Sequence, residues 1–206
     1  MRPEDVHRLN AALTGVDADI ILNVCEYAFR KPVLATSGGP NSGMLWHMVH
    51  KRFGCRFPAV FVNPGDVPPE NLRYLAVLAR RYPLALSTHE PDPPATAGEL
   101  EMIAAGGEVR LEAYERTKHL TLRLALQEHG ADCVIFGARA DQSGARDGRL
   151  KLLTRCLIAR TDGRTGAYPN YRKTNQDTEE YCRQQGIPFH EFGPPVGERI
   201  ECGIHT

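Results

Sequence analysis

Short apolar segments alternating with amphipathic helical patterns are the feature that most limits how this chain can fold. Four of these segments, at 33–36, 59–62, 84–88 and 133–136, have the length of a buried strand. A strand without a polar face must be covered on both sides, and a helix between successive strands lets them run parallel. The sequence therefore predicts an α/β fold with a mostly parallel twisted sheet and helices on both faces.

The same patterns predict the remaining elements. A fifth strand is expected over 151–158. Leu111, Leu120, Leu124 and Leu126 are expected to face the core from the helical segments that precede residue 130. Helices are expected over 4–30, over 42–53, from Pro68, between 99 and about 130, and over 175–185.

Size and charge limit the organisation and the partners. The 206 residues are expected to form one α/β domain over 1–192 and a flexible tail over 193–206. The 25 Lys and Arg residues equal the 25 Asp and Glu residues, so no global field attracts nucleic acid or a membrane. We therefore do not expect nucleic acid or a membrane as a partner, and an anionic ligand must be bound by a local cluster of donors.

The cysteines point to a reducing compartment. The six cysteines include no CxxC and no CC pair, which argues against a disulfide framework, a cysteine-ligated zinc site and an iron–sulfur cluster. The first ten residues lack the apolar stretch of a signal peptide, so we expect a cytoplasmic protein. Most of the thiols are expected to be inert in apolar settings. The six cysteines are Cys25, Cys55, Cys133, Cys156, Cys182 and Cys202, of which Cys202 is the one candidate reactive thiol.

A glycine-rich turn is the first candidate site. Residues 37–42 (Ser-Gly-Gly-Pro-Asn-Ser) lie between a predicted strand and a predicted helix. Glycines allow backbone N–H groups to approach an anion, and the helix N-terminus adds a partial positive charge. We expect a phosphate or sulfate group to be bound here by Ser37, Gly38, Gly39 and Ser42.

Two further turns follow strands and are expected at the same edge of the sheet. The first contains Asn63 and Gly65. The second begins at Gly137 and contains Arg139, Gln142 and Arg146. Guanidinium groups suit bidentate binding of phosphate or sulfate, so both arginines are candidate ligands of the anion. His47 and His50, by contrast, are interpreted as ordinary helix residues, because no third metal ligand accompanies them.

Four motifs in order resemble those of the phosphoadenylyl-sulfate (PAPS) reductase family within the PP-loop superfamily. The glycine-rich turn resembles SGGxDS, and residues 137–146 resemble G-x-R-x-D-x-S-x-x-R. Residues 169–181 follow the spacing of P-L-x-x-W-T-x-x-D-V-x-x-Y, and 199–205 resemble K/R-x-E-C-G-L/I-H. Asn41 and Asn63 stand where the family has Asp, and Lys173 stands where it has Trp.

This resemblance implies a reaction and a set of catalytic residues. Cys202 is implied as the nucleophile that attacks the sulfo group of an adenine sulfonucleotide, with Arg199 and His205 as nearby cations that favour its thiolate. Thioredoxin or glutaredoxin is implied as the reductant, with no tightly bound cofactor and no iron–sulfur cluster. The resemblance does not decide whether the protein forms a homo-oligomer.

Two alternatives remain at this point. The glycine-rich turn also fits an ATP-dependent PP-loop enzyme that adenylates a substrate, although Asn41 removes a carboxylate that could help to bind magnesium. The departures at Pro40, Asn41, Asn63 and Lys173 also fit a non-catalytic nucleotide-binding relative.

Overall fold

The computed structural model describes residues 2–39, 41–105, 113, 115–139, 153–155 and 164–188. Helices α1 to α7 span Pro3–Ala12, Ala18–Ala28, Ser42–Phe53, Pro69–Arg81, Ala97–Ala105, Thr121–Glu128 and Asn175–Gln184. A π-helical segment, Glu115–Leu120, leads directly into α6. Strands β1 to β6 span Pro32–Thr36, Pro58–Val62, Ala85–His89, Cys133–Phe136, Leu153–Arg155 and Thr165–Ala167.

The described strands form one twisted sheet in the order β3-β2-β1-β4-β6-β5. Strand β1 pairs in parallel with β2 on one side and with β4 on the other, and β3 and β6 extend the parallel arrangement outward. Only β5, among the described strands, runs antiparallel to its neighbour, β6. The predicted α/β class with a mostly parallel sheet is confirmed. The five parallel strands end at one edge of the sheet, which we call the carboxyl edge.

Both faces of the sheet are covered, as the apolar strands require. Successive residues of β1 enter different cores: Leu34 packs with residues of α2, α3, α4 and α7, whereas Val33 packs with residues of α6. The same alternation holds in β4, where Ile135 faces the first core and Val134 the second. The prediction of helices on both faces is therefore confirmed.

The N-terminal helical region differs from the prediction. Residues 4–30 form two helices, α1 and α2, because the chain turns between them at Gly15, whose φ is 90°. That conformation costs glycine little and other residues more. The helical periodicity of apolar residues is present on both sides of Gly15, so the sequence pattern did not reveal that the helix is interrupted there.

The C-terminal part of the sheet was predicted in part. The strand expected over 151–158 is confirmed at Leu153–Arg155, the described part of that range, where it runs antiparallel at the sheet edge. Strand β6, whose sequence is Thr-Gly-Ala, was not predicted. Its three residues are buried, yet they carry no apolar run from which a strand could be predicted.

Two core predictions near the π-helical segment were wrong. Leu120 and Leu124 are exposed, at 38% and 52%, whereas Leu122 and Leu126 are buried. Leu124 and Leu126 are about 200° apart around a helix of 3.6 residues per turn, so they cannot both face the core. Leu126 was assigned correctly, and Leu111 lies outside the described residues.

Helix α3 carries the largest buried side chain of the first core. Trp46 is fully buried, and its indole N–H donates to the carbonyl oxygen of Tyr82 over 2.7 Å. His47 Nδ1 lies 2.9 Å from the Tyr181 hydroxyl, and His50 Nδ1 lies 2.9 Å from the carbonyl oxygen of Pro83. Both histidines therefore make structural contacts, as the sequence indicated. Among the helices that the structure describes, none has the length and apolar character that crossing a bilayer requires.

A double-mutant cycle tests how closely α3 approaches α4. A Cβ atom at Gly43 would overlap the hydroxyl of Tyr74, which donates to the carbonyl oxygen of Pro188 over 2.9 Å. Gly43→Ala is expected to lower the free energy of unfolding by about 1–3 kcal/mol through overpacking. Urea unfolding of Gly43→Ala, Tyr74→Phe and the double variant measures the coupling. Tyr74→Phe should relieve part of the loss, and simple additivity of the two single changes would contradict this packing.

Candidate nucleotide-binding site

The glycine-rich turn between β1 and α3 is shaped by a close approach of α4. Gly38 has a φ of 66°, and a Cβ atom there would lie 2.9 Å from the backbone oxygen of Asn71. Its N–H donates to the Thr36 hydroxyl over 3.3 Å, and the Gly39 N–H donates to the Ser37 hydroxyl over 3.4 Å. Glycine is therefore required at position 38 both by backbone conformation and by space.

The N-terminus of α3 offers positive potential to this turn. The first turn of the 12-residue helix contains no acidic side chain. The cap residue, Asn41, makes no side-chain capping bond, and its amide oxygen is buried without a hydrogen-bond partner in the described part of the chain. The Ser42 N–H donates to the carbonyl oxygen of Gly39 over 2.9 Å, which closes the turn. The absence of an acidic side chain and of a side-chain cap favours an anion at the helix terminus, whereas the Asn41 amide oxygen, an acceptor, suits a donor.

The second predicted turn is held together by Asn63. Its amide oxygen accepts from the Gly65 N–H over 3.2 Å, and its amide nitrogen donates to a carboxylate oxygen of Glu90 over 3.1 Å. Gly65 has a φ of 100°, which suits glycine. The side chain of Asn63 is thus engaged in fixing the turn after β2 against the end of β3. Ligand binding by Asn63 and Gly65 remains a prediction.

Arg139 is buried at the carboxyl edge. It follows β4 and Gly137, and only 4% of the residue is exposed. The pKa of Asp177 is lowered, first by hydrogen bonds from Thr174 and further by the charges of Lys173 and Arg139. Arg139 therefore lies within electrostatic range of the first turn of α7. Its predicted companions Gln142 and Arg146 lie outside the described residues.

Residues 169–181 connect this edge to the first core. The Thr174 hydroxyl accepts from the Asp177 N–H over 3.1 Å, and the Asp177 side chain accepts from the Thr174 N–H over 2.7 Å. This reciprocal cap confirms Thr174 as the N-cap of α7. Burial raises the pKa of Tyr181, whose hydroxyl contacts His47, to about 12. A small cleft of about 130 Å³ beside the cap is lined by residues that include Asp17, Arg172, Lys173 and Asp177.

Sequence reasoning missed Asn170. The residue is fully buried, and neither its amide nitrogen nor its amide oxygen has a hydrogen-bond partner among the described residues. The only sequence signal is a polar residue at the position where the family pattern has Leu. Such a signal has no weight until burial is known.

The described thiols match the expectation in part. Cys25, Cys133 and Cys182 are buried, and burial raises the pKa of Cys182 to about 11, which disfavours its thiolate. Cys55 is exposed, so the expectation of an apolar setting was wrong for this residue. Its place in the turn between α3 and β2 explains the difference.

Cys156 and the predicted catalytic residues Arg199, Cys202 and His205 lie outside the described residues. So does the whole tail over 193–206. Within the described ranges, no group of three or more His, Cys, Asp or Glu side chains is arranged to bind a metal ion.

The fold has a close structural counterpart. The chain superimposes on a crystal structure of PAPS reductase from Candida auris, solved as a phosphate complex, with a TM-score of 0.72 and 17% identity. The match covers 93% of this chain and 90% of the other. A likeness at this identity defines the class, an α/β protein with the PP-loop fold.

Sequence comparison defines the family within that class. The model of the phosphoadenosine phosphosulfate reductase domain matches residues 31–193. The chain therefore belongs to the phosphoadenosine phosphosulfate reductase domain family, as its motifs indicated.

Two curated relatives of this chain carry different names and are covered to different extents. Phosphoadenosine 5′-phosphosulfate reductase of Xylella fastidiosa strain M12 is 26% identical over 98% of this chain and 84% of its own length. Sulfate adenylyltransferase subunit 2 of Azospirillum brasilense is 31% identical over 70% of this chain. That alignment spans only 46% of the length of the Azospirillum protein.

Substitution of Gly38 tests whether the shape of the turn governs anion binding. Gly38→Ala forces a Cβ atom toward the backbone of α4 and is expected to cost at least about 1–2 kcal/mol of stability. Adenosine 3′,5′-bisphosphate binding, measured by calorimetry at a temperature where the variant is folded, is expected to weaken at least tenfold. Gly98→Ala is the control, because Gly98 is exposed in α5 with open space around it. Unchanged affinity in Gly38→Ala would contradict a role of the turn in binding.

Proposed function

We propose that this protein reduces 3′-phosphoadenylyl sulfate to sulfite and adenosine 3′,5′-bisphosphate. The observation that supports this most strongly is the match of residues 31–193 to the PAPS reductase domain. The motif over 199–205, with Cys202 at its centre, follows directly in the sequence. The proposal therefore joins a substrate-binding domain to a thiol nucleophile.

The carboxyl edge supplies groups suited to such a substrate. The glycine-rich turn over 37–42, which we call the phosphate turn, leads into the positive end of α3, and Arg139 adds a buried cation after β4. These groups are proposed to bind the phosphosulfate of the nucleotide, with Gln142 and Arg146 completing the anion site. Fixed donors of this kind also stabilise the negative charge that shifts to the leaving phosphate oxygen.

The proposed chemistry has two steps, both at the sulfur of Cys202. In the first, the Cys202 thiolate attacks the sulfo sulfur, a sulfur–sulfur bond forms, and the sulfur–oxygen bond to the nucleotide phosphate breaks. Arg199 and His205 are proposed to favour the thiolate by their charge. In the second, a thiolate of reduced thioredoxin or glutaredoxin attacks the Cys202 sulfur, the sulfur–sulfur bond to the sulfo group breaks, sulfite leaves, and a mixed disulfide forms. The second thiol of the reductant then attacks its own sulfur in the mixed disulfide and releases the Cys202 thiolate. The two electrons thus come from the dithiol, which becomes a disulfide.

No tightly bound cofactor or iron–sulfur cluster is required by this scheme. The dithiol protein and the sulfonucleotide are the only co-reactants, and both are consistent with action in the cytoplasm, where thiols are kept reduced.

A direct assay tests the proposed function. Incubation with PAPS and reduced thioredoxin is expected to release sulfite, and Cys202→Ser is expected to abolish the release because serine is a poor substitute for a thiolate. Without the reductant, mass spectrometry of the wild type is expected to find one added SO₃ group on Cys202. The exposed Cys55 provides the matched control, since Cys55→Ser should leave the activity intact. Sulfite production that persists in Cys202→Ser would reject the mechanism.

A second function is favoured by one observation, the 31% identity to a sulfate adenylyltransferase subunit. An enzyme of that kind would release pyrophosphate from ATP in the presence of sulfate and magnesium. Asn41 disfavours it, because an amide binds a hard divalent cation less well than the carboxylate found in SGGxDS.

Pyrophosphate release separates the two functions. With ATP, sulfate and magnesium, release is expected to stay at the level of the enzyme-free blank, and the same preparation is expected to produce sulfite from PAPS. Magnesium-dependent pyrophosphate release, together with no sulfite from PAPS, would replace the proposed function with the second one.

A further inference from the structure

Asn170 is a buried amide with no visible structural use. It lies in the turn after β6, and its backbone oxygen accepts from the Lys173 N–H over 2.9 Å. The side chain is fully buried, while both of its polar atoms are without a hydrogen-bond partner in the described part of the chain. A buried polar group in this state destabilises the folded protein unless something else satisfies it.

The register of the sheet places Asn170 beside Arg139. Ile135 of β4 pairs with Ala167 of β6, and the rings of Phe136 and Tyr168 stack with centroids 5.5 Å apart, which carries the register past the strand ends. Arg139 and Asn170 each follow the last residue of their strand by three positions. Continued past the strand ends, this register aligns Asn170 with Ala138, the residue before Arg139. Because neighbouring strands are about 4.8 Å apart, Asn170 and Arg139 reach the carboxyl edge on adjacent segments of the chain.

Two observations connect Asn170 to the same site as the phosphate turn. The charge of Arg139 contributes to the lowered pKa of Asp177, so the guanidinium lies within electrostatic range of the first turn of α7, to which the segment after Asn170 leads. Asn41, at the phosphate turn on the other side of β4, also has a buried amide oxygen without a partner in the described ranges. Unsatisfied amide groups thus lie on both sides of Arg139, at the ends of β1 and β6.

The chemistry of an amide indicates what satisfies Asn170. Its nitrogen carries two N–H donors and its oxygen is an acceptor. Beside a buried cation, the donors suit the oxygens of an anion, and the acceptor suits a hydroxyl group. A nucleotide presents phosphate or sulfo oxygens close to ribose hydroxyls, so it satisfies both sides of the amide.

We propose that Asn170 is a substrate-binding residue that donates a hydrogen bond to the anionic group of the nucleotide next to Arg139. This inference rests on the proposed function, since it adds one ligand to the same site. It assigns a polar, substrate-contacting role to a position at which the family pattern has an apolar residue. The stability lost through the buried amide in the free protein is recovered when the nucleotide binds.

Replacement by Leu separates this role from a structural one. Asn170→Leu has nearly the same shape and removes the unsatisfied polar atoms, so the melting temperature of the ligand-free protein should rise by roughly 2–6 °C. Affinity for adenosine 3′,5′-bisphosphate should fall by about ten- to a hundredfold, the worth of a hydrogen bond to a charged group. A structural role predicts the opposite pattern, a lower melting temperature with unchanged affinity.

Calorimetric titration with adenosine 3′,5′-bisphosphate and thermal unfolding are measured on four proteins. These are the wild type, Asn170→Leu, Asn170→Ala and Asn23→Leu. Asn170→Ala should lose the same affinity without gaining stability, because it leaves a cavity. Asn23, in α2, also has a buried amide oxygen without a described partner, so Asn23→Leu is the matched control and should bind like the wild type.

The outcomes distinguish the two proposals. Wild-type affinity in both Asn170 variants would overturn the role of Asn170 while leaving the proposed function intact. A lower melting temperature in Asn170→Leu would also overturn it, because the amide would then have a structural partner. A wild type that does not bind the bisphosphate at all would overturn the proposed function, and the role of Asn170 with it.

Discussion

Parallel pairing of β1 with both β2 and β4 is the constraint on which the rest of the structure depends. Because β1 is interior, Val33 and Leu34 must both be buried, one against each helical layer. A shift of the register by one residue would exchange these two side chains between layers that are each packed around one of them. The register that results brings the ends of β1, β4 and β6 to one edge, where Ser37, Arg139 and Asn170 follow them.

The close packing of α3 against α4 in the first core then determines the shape of the carboxyl edge. Gly38 allows the backbone of α4 to come within contact of the phosphate turn, and Gly43 leaves room for the Tyr74 hydroxyl, which in turn holds the carbonyl of Pro188. The phosphate turn, α4 and the chain after α7 are therefore coupled through two positions without a side chain. A change in the packing of α4 is transmitted directly to the N-terminus of α3, where an anion would be bound.

Sequence patterns predicted the helices and strands that are determined by their own local sequence. Helix α3 and strand β4 match the predicted residues, because buried apolar runs and a glycine stop signal are visible in the chain itself. The failures have other causes. Strand β6 has no apolar run and forms on the open edge of β4. Leu124 was assigned to the core together with Leu126, although the two residues lie on opposite faces of α6 and only Leu126 is buried.

The site was predicted less completely than the fold. The phosphate turn and Arg139 were predicted from motif and charge, and both lie at the carboxyl edge, while their binding of an anion stays a prediction. Asn170 was not singled out from the sequence, because asparagine is common in polar turns and only its burial in the structure distinguishes it. Asn63 was proposed as a ligand, but its amide is engaged with Gly65 and Glu90, a contact between separate strand ends.

The asparagines at this edge clarify which chemistry the site suits. Asn41 and Asn63 replace the acidic residues of the family motifs, and Asn170 replaces an apolar one, so the edge gains neutral amides and loses two negative charges. A carboxylate helps to bind magnesium but repels a sulfo or phosphate group, whereas an amide does neither and offers donors to the anion. Fewer carboxylates therefore weaken an ATP-cleaving, magnesium-dependent reaction more than they weaken sulfonucleotide binding. For a reaction in which a thiolate attacks an anionic sulfo group, lower negative charge around the electrophile is an advantage, because it reduces the repulsion between substrate and site before the thiolate approaches.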